Sequence, residues 1–197
     1  MTRSPINPGA VVWSGENPIV SLKAHAEGDE LANATFFRIV YSPAGTGHAA
    51  FVSNPGSGSK PRGFADNMAL GRWLRDSMLP HYAHYKERDV SAIVMTEANF
   101  SSSGDPRQRW EETITAEEIE VRLSWEDLGA AFVVNNPGGS TGLFPFHVIS
   151  LFVPARRAAL TINGAAVVGR PFPRDVAGTE SSTCFLAFSE TWLTLPE

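Results

Sequence analysis

Short runs of β-branched and aromatic residues, each closed by Gly, Pro, Asn or Ser, recur along almost the whole chain and leave room for one helix only. They fall at about residues 19–26, 35–42, 48–53, 90–100, 108–115, 118–126, 130–135, 144–153, 159–168 and 183–192, and segments of this length and composition are strand signals. The joining segments Ser42–Gly47 and Pro137–Gly142 are far shorter than the roughly dozen residues that a parallel crossover needs, so the neighbours are expected to pair as antiparallel hairpins. The exception is 66–79. There Asp66 is placed as the N-cap, Met68, Leu70, Trp73, Leu74, Ser77 and Met78 form an apolar stripe opposite Asn67, Arg72, Arg75 and Asp76, and Pro80 ends the pattern. The expectation is a mainly β chain, either a single-domain antiparallel β-barrel or a sandwich, with one amphipathic helix at about 66–79.

A length of 197 residues suits one core better than two, so residues 1–197 are read as a single β-rich domain. Hydrophobic residues at 43% and charged residues at 19% describe an ordinary soluble globule. With a net charge of −5 and no basic run longer than Arg156-Arg157, the electrostatic footprint of a nucleic-acid binder is missing. No stretch is apolar for the roughly 18 residues of a membrane span, and the opening MTRSPINPG lacks the apolar core of a signal peptide. A single cysteine, Cys184, rules out an internal disulfide framework. A cytoplasmic protein without a membrane or nucleic-acid partner is expected, and self-association into a homo-oligomer stays open.

Alternation then identifies polar residues on apolar faces. In the hairpin 108–125, turning near Ala116-Glu117, Ile114 is set opposite Ile119, Glu112 opposite Val121 and Trp110 opposite Leu123. Glu112 is thus a carboxylate on a face of Trp, Ile, Val and Leu, where burial must pair it or raise its pKa. A hairpin closing through Pro154–Ala159 would put His147 on a dry face with Ile149 and Leu151, and Ser150 and Phe152 on a mixed one. An even loop in the hairpin 35–54 would set Tyr41 beside His48 on the face of Phe37, Ile39 and Val52. Glu97 shares a face with Ile93 and Met95, and Glu190 with Leu186, Phe188 and Trp192. Which of those two faces is dry does not follow from alternation.

A histidine and one or two carboxylates projecting into one apolar cavity suffice for acid–base chemistry near pH 7 without a cofactor or a metal. The catalytic candidates are accordingly His147, Glu112, Glu97 and Glu190, and the ligand-binding candidates Trp110, Trp125, Tyr41 and His48. The bland alternative for His147 is a core imidazole bonded to a backbone carbonyl. Other motifs are weaker. The pair His81 and His84 lacks an accompanying zinc signature. The loop NNPGGSTG at 135–142 leads into a strand and not a helix N-terminus, so it does not supply a phosphate cradle. GSGSK at 56–60 is no nucleophile elbow, and Cys184 reads as a buried, inert thiol.

In outline such a chain resembles the calycin-type barrels, a likeness of architecture that carries no function by itself. The functional expectation is a β-barrel that binds a small apolar organic molecule, with two versions. One is a cofactor-independent lyase, isomerase or cyclase. The other is a non-catalytic carrier or sensor. A structural or oligomerising β-protein without a pocket is the remaining alternative.

Overall fold

The computed structural model of the chain describes residues 10–55, 58, 60–139 and 145–195. The opening MTRSPINPG, Gly56, Ser57 and Ser59 of the GSGSK loop, and Ser140 to Phe144 lie outside the described residues. The strands are β1 Val11–Glu16, β2 Ile19–Lys23, β3 Glu30–Tyr41, β4 Gly47–Ser53, β5 Arg62–Ala65, β6 Val94–Glu97, β7 Asn99–Asp105 and β8 Arg109–Ala116. They continue as β9 Ile119–Leu128, β10 Phe132–Asn136, β11 Phe146–Ile162, β12 Ala165–Ala166, β13 Pro173–Val176, β14 Thr179–Ser182 and β15 Phe185–Thr194. The chain is mainly β. Thirteen strands form one large mixed sheet in the order β6-β5-β4-β3-β1-β15-β11-β9-β8-β7, with β2, β10 and β12 pairing alongside it. The segment 168–182 carries the separate hairpin β13-β14.

Among the described residues every strand pairing is antiparallel except β5 with β6. That one parallel pair is joined through the one helical segment, as strand geometry requires of parallel neighbours. The helix is shorter than its sequence pattern: α1 spans Met68–Trp73, followed by a wider turn over Leu74–Met78 and a tighter one over Leu79–His81. Its cap is Asn67 and not Asp66, with the Asn67 side chain accepting from the amides of Ala69 and Leu70. Gly71 is where the helix touches the sheet. A Cβ there would meet Ala65 Cβ and Met95 Cε at 2.7 Å, so the glycine that weakens the helix locally permits its close approach.

The sheet buries both faces. On the inner one, Phe36, Ala50 and Phe64 share a core with Ile114, Leu123 and Trp125, and Phe36 meets Phe100 edge-on at 5.8 Å across β3 and β7. On the outer one, Leu70, Leu74, Met78 and Leu79 cover Phe37, Phe51, Trp13 and Trp192. Adjacent Phe36 and Phe37 therefore lie in different cores, which is why β3 reads as a continuous apolar run. The two ends of the strand path are consecutive in the chain: β6 and β7 are separated by Ala98 alone, whose amide bonds the Ala65 carbonyl at 3.0 Å.

Two expected hairpins change. Residues 144–153 and 159–168 are not two strands around a Pro154–Ala159 loop; β11 runs unbroken through it. It pairs with β10 from Val148 to Phe152 and with β9 from Ala155 to Ile162. Pro154 sits between those two stretches, opposite the break between β9 and β10, where no ladder N–H is required of it. In the other case Arg38, not Tyr41, lies opposite His48. The β3-β4 register puts His48 on the face of Phe36 and Ala50 instead of that of Phe37. Among the described residues no helix is long and apolar enough to cross a membrane.

Candidate functional site

The hairpin β8-β9 turns at Glu117 and Glu118, so Ala116 meets Ile119, Ile114 meets Val121, Glu112 meets Leu123 and Trp110 meets Trp125. The register is two residues from the one expected, but the faces are the same. Glu112 is on the inner face and 1% exposed. Trp110 Nε1 donates to Glu112 Oε1 at 2.8 Å, and Arg38 of β3 reaches the same oxygen at 3.4 Å. Arg38 also binds Glu16 of β1 at 3.1 Å and donates to Ser102 of β7 at 2.6 Å. One guanidinium on β3 thus serves two carboxylates and a hydroxyl from three other strands. Burial pushes the Glu112 carboxyl up to about 7, opposed by the Trp110 and Ser102 hydrogen bonds and the Arg38 charge. Its Oε2 is buried without a hydrogen-bond partner among the described residues.

Around this cluster stand two more of the expected ligand-binding residues. His48, directly opposite Arg38, stacks on Phe100 at 5.4 Å, and its Nδ1 lies 2.6 Å from Asp66 Oδ2. Trp110 packs edge-on against Phe188 at 6.2 Å, while Trp125 is fully buried and donates to the Ile19 carbonyl at 2.9 Å. Trp125 is a core residue.

The other candidates are elsewhere. In the stretch from His147 to Val153 the buried side chains are Val148, Ser150 and Val153, whereas Ile149 is 38% exposed. The dry-face expectation for His147 fails because it rested on the hairpin that β11 does not make. His147 Nε2 is bonded to Asn135 Oδ1 at 2.6 Å, across the β10-β11 ladder, and no carboxylate among the described residues pairs with it. Glu190 is buried on the outer face: Ser189, at φ 55°, breaks the alternation, so Glu190 goes with Trp192 and not with Leu186. Trp192 Nε1 donates to it at 2.7 Å, and burial pushes its carboxyl up to about 7 against that bond and the neighbouring Ser150. Glu97 is exposed and lines an open cleft of about 520 Å³ with Asp66 and Glu117. Tyr41 is 46% exposed and opposite Ser14. The four proposed proton carriers therefore have four separate sets of neighbours.

The two histidines of HYAHY also diverge, His81 lying edge-on to Phe146 at 5.0 Å and His84 pairing with Glu30. No group of three His, Cys, Asp or Glu side chains among the described residues could hold a metal ion. Cys184 is buried against the backbone of Ser21, and burial pushes its thiol up to about 12.

At the opposite end of the inner face the packing is incomplete. A cavity of about 120 Å³ lies between β4-β5 and β9-β11, walled by Val52, Phe64, Ile119, Val121 and Ile162 and rimmed by Asn54, Lys60 and Arg62. Alternation along β5 directs Arg62 to the same face as Phe64, which belongs to the inner core. Among the described residues, neither Lys60 nor Arg62 makes an ion pair, and no carboxylate lines the cavity. Sequence reasoning missed both cations because a four-residue strand that follows Pro61 and contains Gly63 gives almost no periodic signal. Comparison with protein-family models, with curated proteins and with solved structures found no match to this chain.

Proposed function

We propose that this is a small-molecule-binding β-protein whose sheet closes into a barrel and holds a small, largely apolar organic ligand in the cavity between β4-β5 and β9-β11. The observation carrying the reading is that cavity: five apolar side chains around about 120 Å³ of space that opens at a polar rim. A dry apolar void of about 150 Å³ is enough to take a benzene-sized molecule, and a cavity open at its rim lets a somewhat larger one protrude. The closure of the barrel is supported by the chain continuity of β6 and β7 at the two ends of the strand path. The carrier or sensor version fits best, because none of the four proposed proton carriers lines this cavity.

The reading is tested by thermal denaturation with neutral apolar probes, toluene and benzyl alcohol, on the wild type and on Ile162→Phe, which fills the space. A saturable rise in Tm for the wild type that is lost in Ile162→Phe is expected. Equal shifts in both proteins, or none in either, overturn it.

A cofactor-independent acid–base enzyme of the lyase, isomerase or cyclase type is the second reading, favoured by one observation. Glu112 combines an unpartnered buried oxygen with a carboxyl titrating near neutrality, on a scaffold fixed by Trp110 and Arg38. Glu112→Gln abolishes turnover if that reading holds and leaves probe binding unchanged if the carrier reading holds.

A further inference from the structure

We propose that Lys60 and Arg62 receive the anionic head of the ligand, so that the cavity takes small amphipathic organic anions, aryl or short branched-chain carboxylates, apolar end first. The inference rests on the reading of this cavity as a ligand site and adds the ligand's charge and orientation.

Three observations carry it. First, the walls and the rim differ in kind: Val52, Phe64 and Val121 are buried and apolar, whereas both cations are exposed at the opening. A ligand with one apolar and one anionic end matches that division, while a wholly apolar one leaves the rim unused. Second, the positive charge has no ion-pair partner among the described residues. The chain carries 21 acidic and 16 basic residues, and Arg38, Arg75, Arg109, Arg122, Arg156 and Arg157 all lie within 4 Å of a carboxylate. In a chain with excess acid, two cations next to each other at the mouth of an apolar cavity, with no carboxylate among the described residues lining it, favour an anionic partner. Third, the spacing is right for shared recognition. Residues 60 and 62 flank Pro61 at the entry to β5 and both border the cavity, no more than roughly 7 Å apart at the backbone. Long flexible cations rooted at that distance converge on a single carboxylate, the guanidinium offering paired donors and the ammonium a point charge. The larger cleft near Asp66, Glu97 and Glu117 has the opposite character. Its three carboxylates repel such a ligand.

The experiment compares benzoate with benzyl alcohol, which match in ring size and differ in charge, by calorimetric titration of wild type, the double variant Lys60→Gln/Arg62→Gln, and two cavity-filling variants, Ile162→Phe and Ile119→Phe. For wild type, benzoate is expected to bind about fivefold or more tightly than benzyl alcohol, as two partly screened charge contacts allow. The preference should shrink as salt is raised. It should vanish in the double variant, and both ligands should be lost in whichever filling variant keeps the native melting transition. Equal binding of the two ligands, unaffected by the double variant but abolished by filling, overturns the anionic head and leaves the cavity reading intact. Benzoate binding that survives filling overturns the inference by placing the anion on the surface. No binding of either ligand overturns both.

Discussion

The two ends of the inner face handle positive charge in opposite ways. At one end the half-buried Arg38 pairs with Glu16 and Glu112 and donates to Ser102, while Trp110 donates to the same Glu112 oxygen, so both terminal nitrogens of the guanidinium are directed at groups of the same chain. At the other, Lys60 and Arg62 stand beside an apolar cavity with no carboxylate of the chain among their described neighbours. A cation with in-chain partners ties strands together. One without them faces whatever enters from outside. The outer face adds a third case: Glu190 is a buried carboxyl with Trp192 and Ser150 beside it and no cation among the described residues, so burial leaves it protonated at lower pH.

The largest expected effect breaks the closed end. Arg38→Met leaves Glu112 and Glu16 without their cation and should cost about 3 kcal/mol by urea denaturation at pH 8, since removing one partner of a buried pair strands the other. About half should return at pH 5.5, where Glu112 is protonated and needs no partner. Equal losses at both pH values contradict the role given to that pair.

Next comes the contrast between the two buried carboxyls. Both have folded-state pKa values raised from 4.5 to about 7, so the folded chain holds more protons than the unfolded one. Their contribution to stability is full below 4.5 and lost as pH rises towards 7, at up to about 1.4 kcal/mol per pH unit for each group. Glu190→Gln, isosteric with the protonated acid and still able to accept from Trp192, should match wild type at pH 5 and exceed it by about 2 kcal/mol at pH 8. A flat stability profile across this range in the wild type would contradict it. The smallest effect is at the open end. Lys60→Gln/Arg62→Gln should change unligated stability by less than about 0.5 kcal/mol, because exposed charges without partners contribute little. A larger loss would mean that these cations have a structural task.

The sequence disclosed the fold class because alternation survives wherever strands are long and face a core: β8 and β9 were assignable, and Glu112 was recognisable as the wrong residue on a dry face. Their register slipped by two because nothing in Ala116-Glu117-Glu118 marks the turn by a special backbone angle. What failed depended on distant partners. Pro154 looks like a loop until its place opposite the β9-β10 break is known, and that error misplaced His147. β7, written NFSSSGD, has the composition of a loop and is a strand because β8 pairs with it. Arg38, 74 residues from Glu112, could be joined to it only by the sheet order. Lys60 and Arg62 depended on β5, which is too short to announce itself.

The most direct measurement of the central claim is a methyl NMR titration with benzoate. The account predicts saturable shifts confined to Val52, Ile119, Val121 and Ile162, weakened in Lys60→Gln/Arg62→Gln. Shifts centred instead on Val133, Ile149 and Leu151, or spectra unchanged up to the solubility limit of the probe, would contradict it.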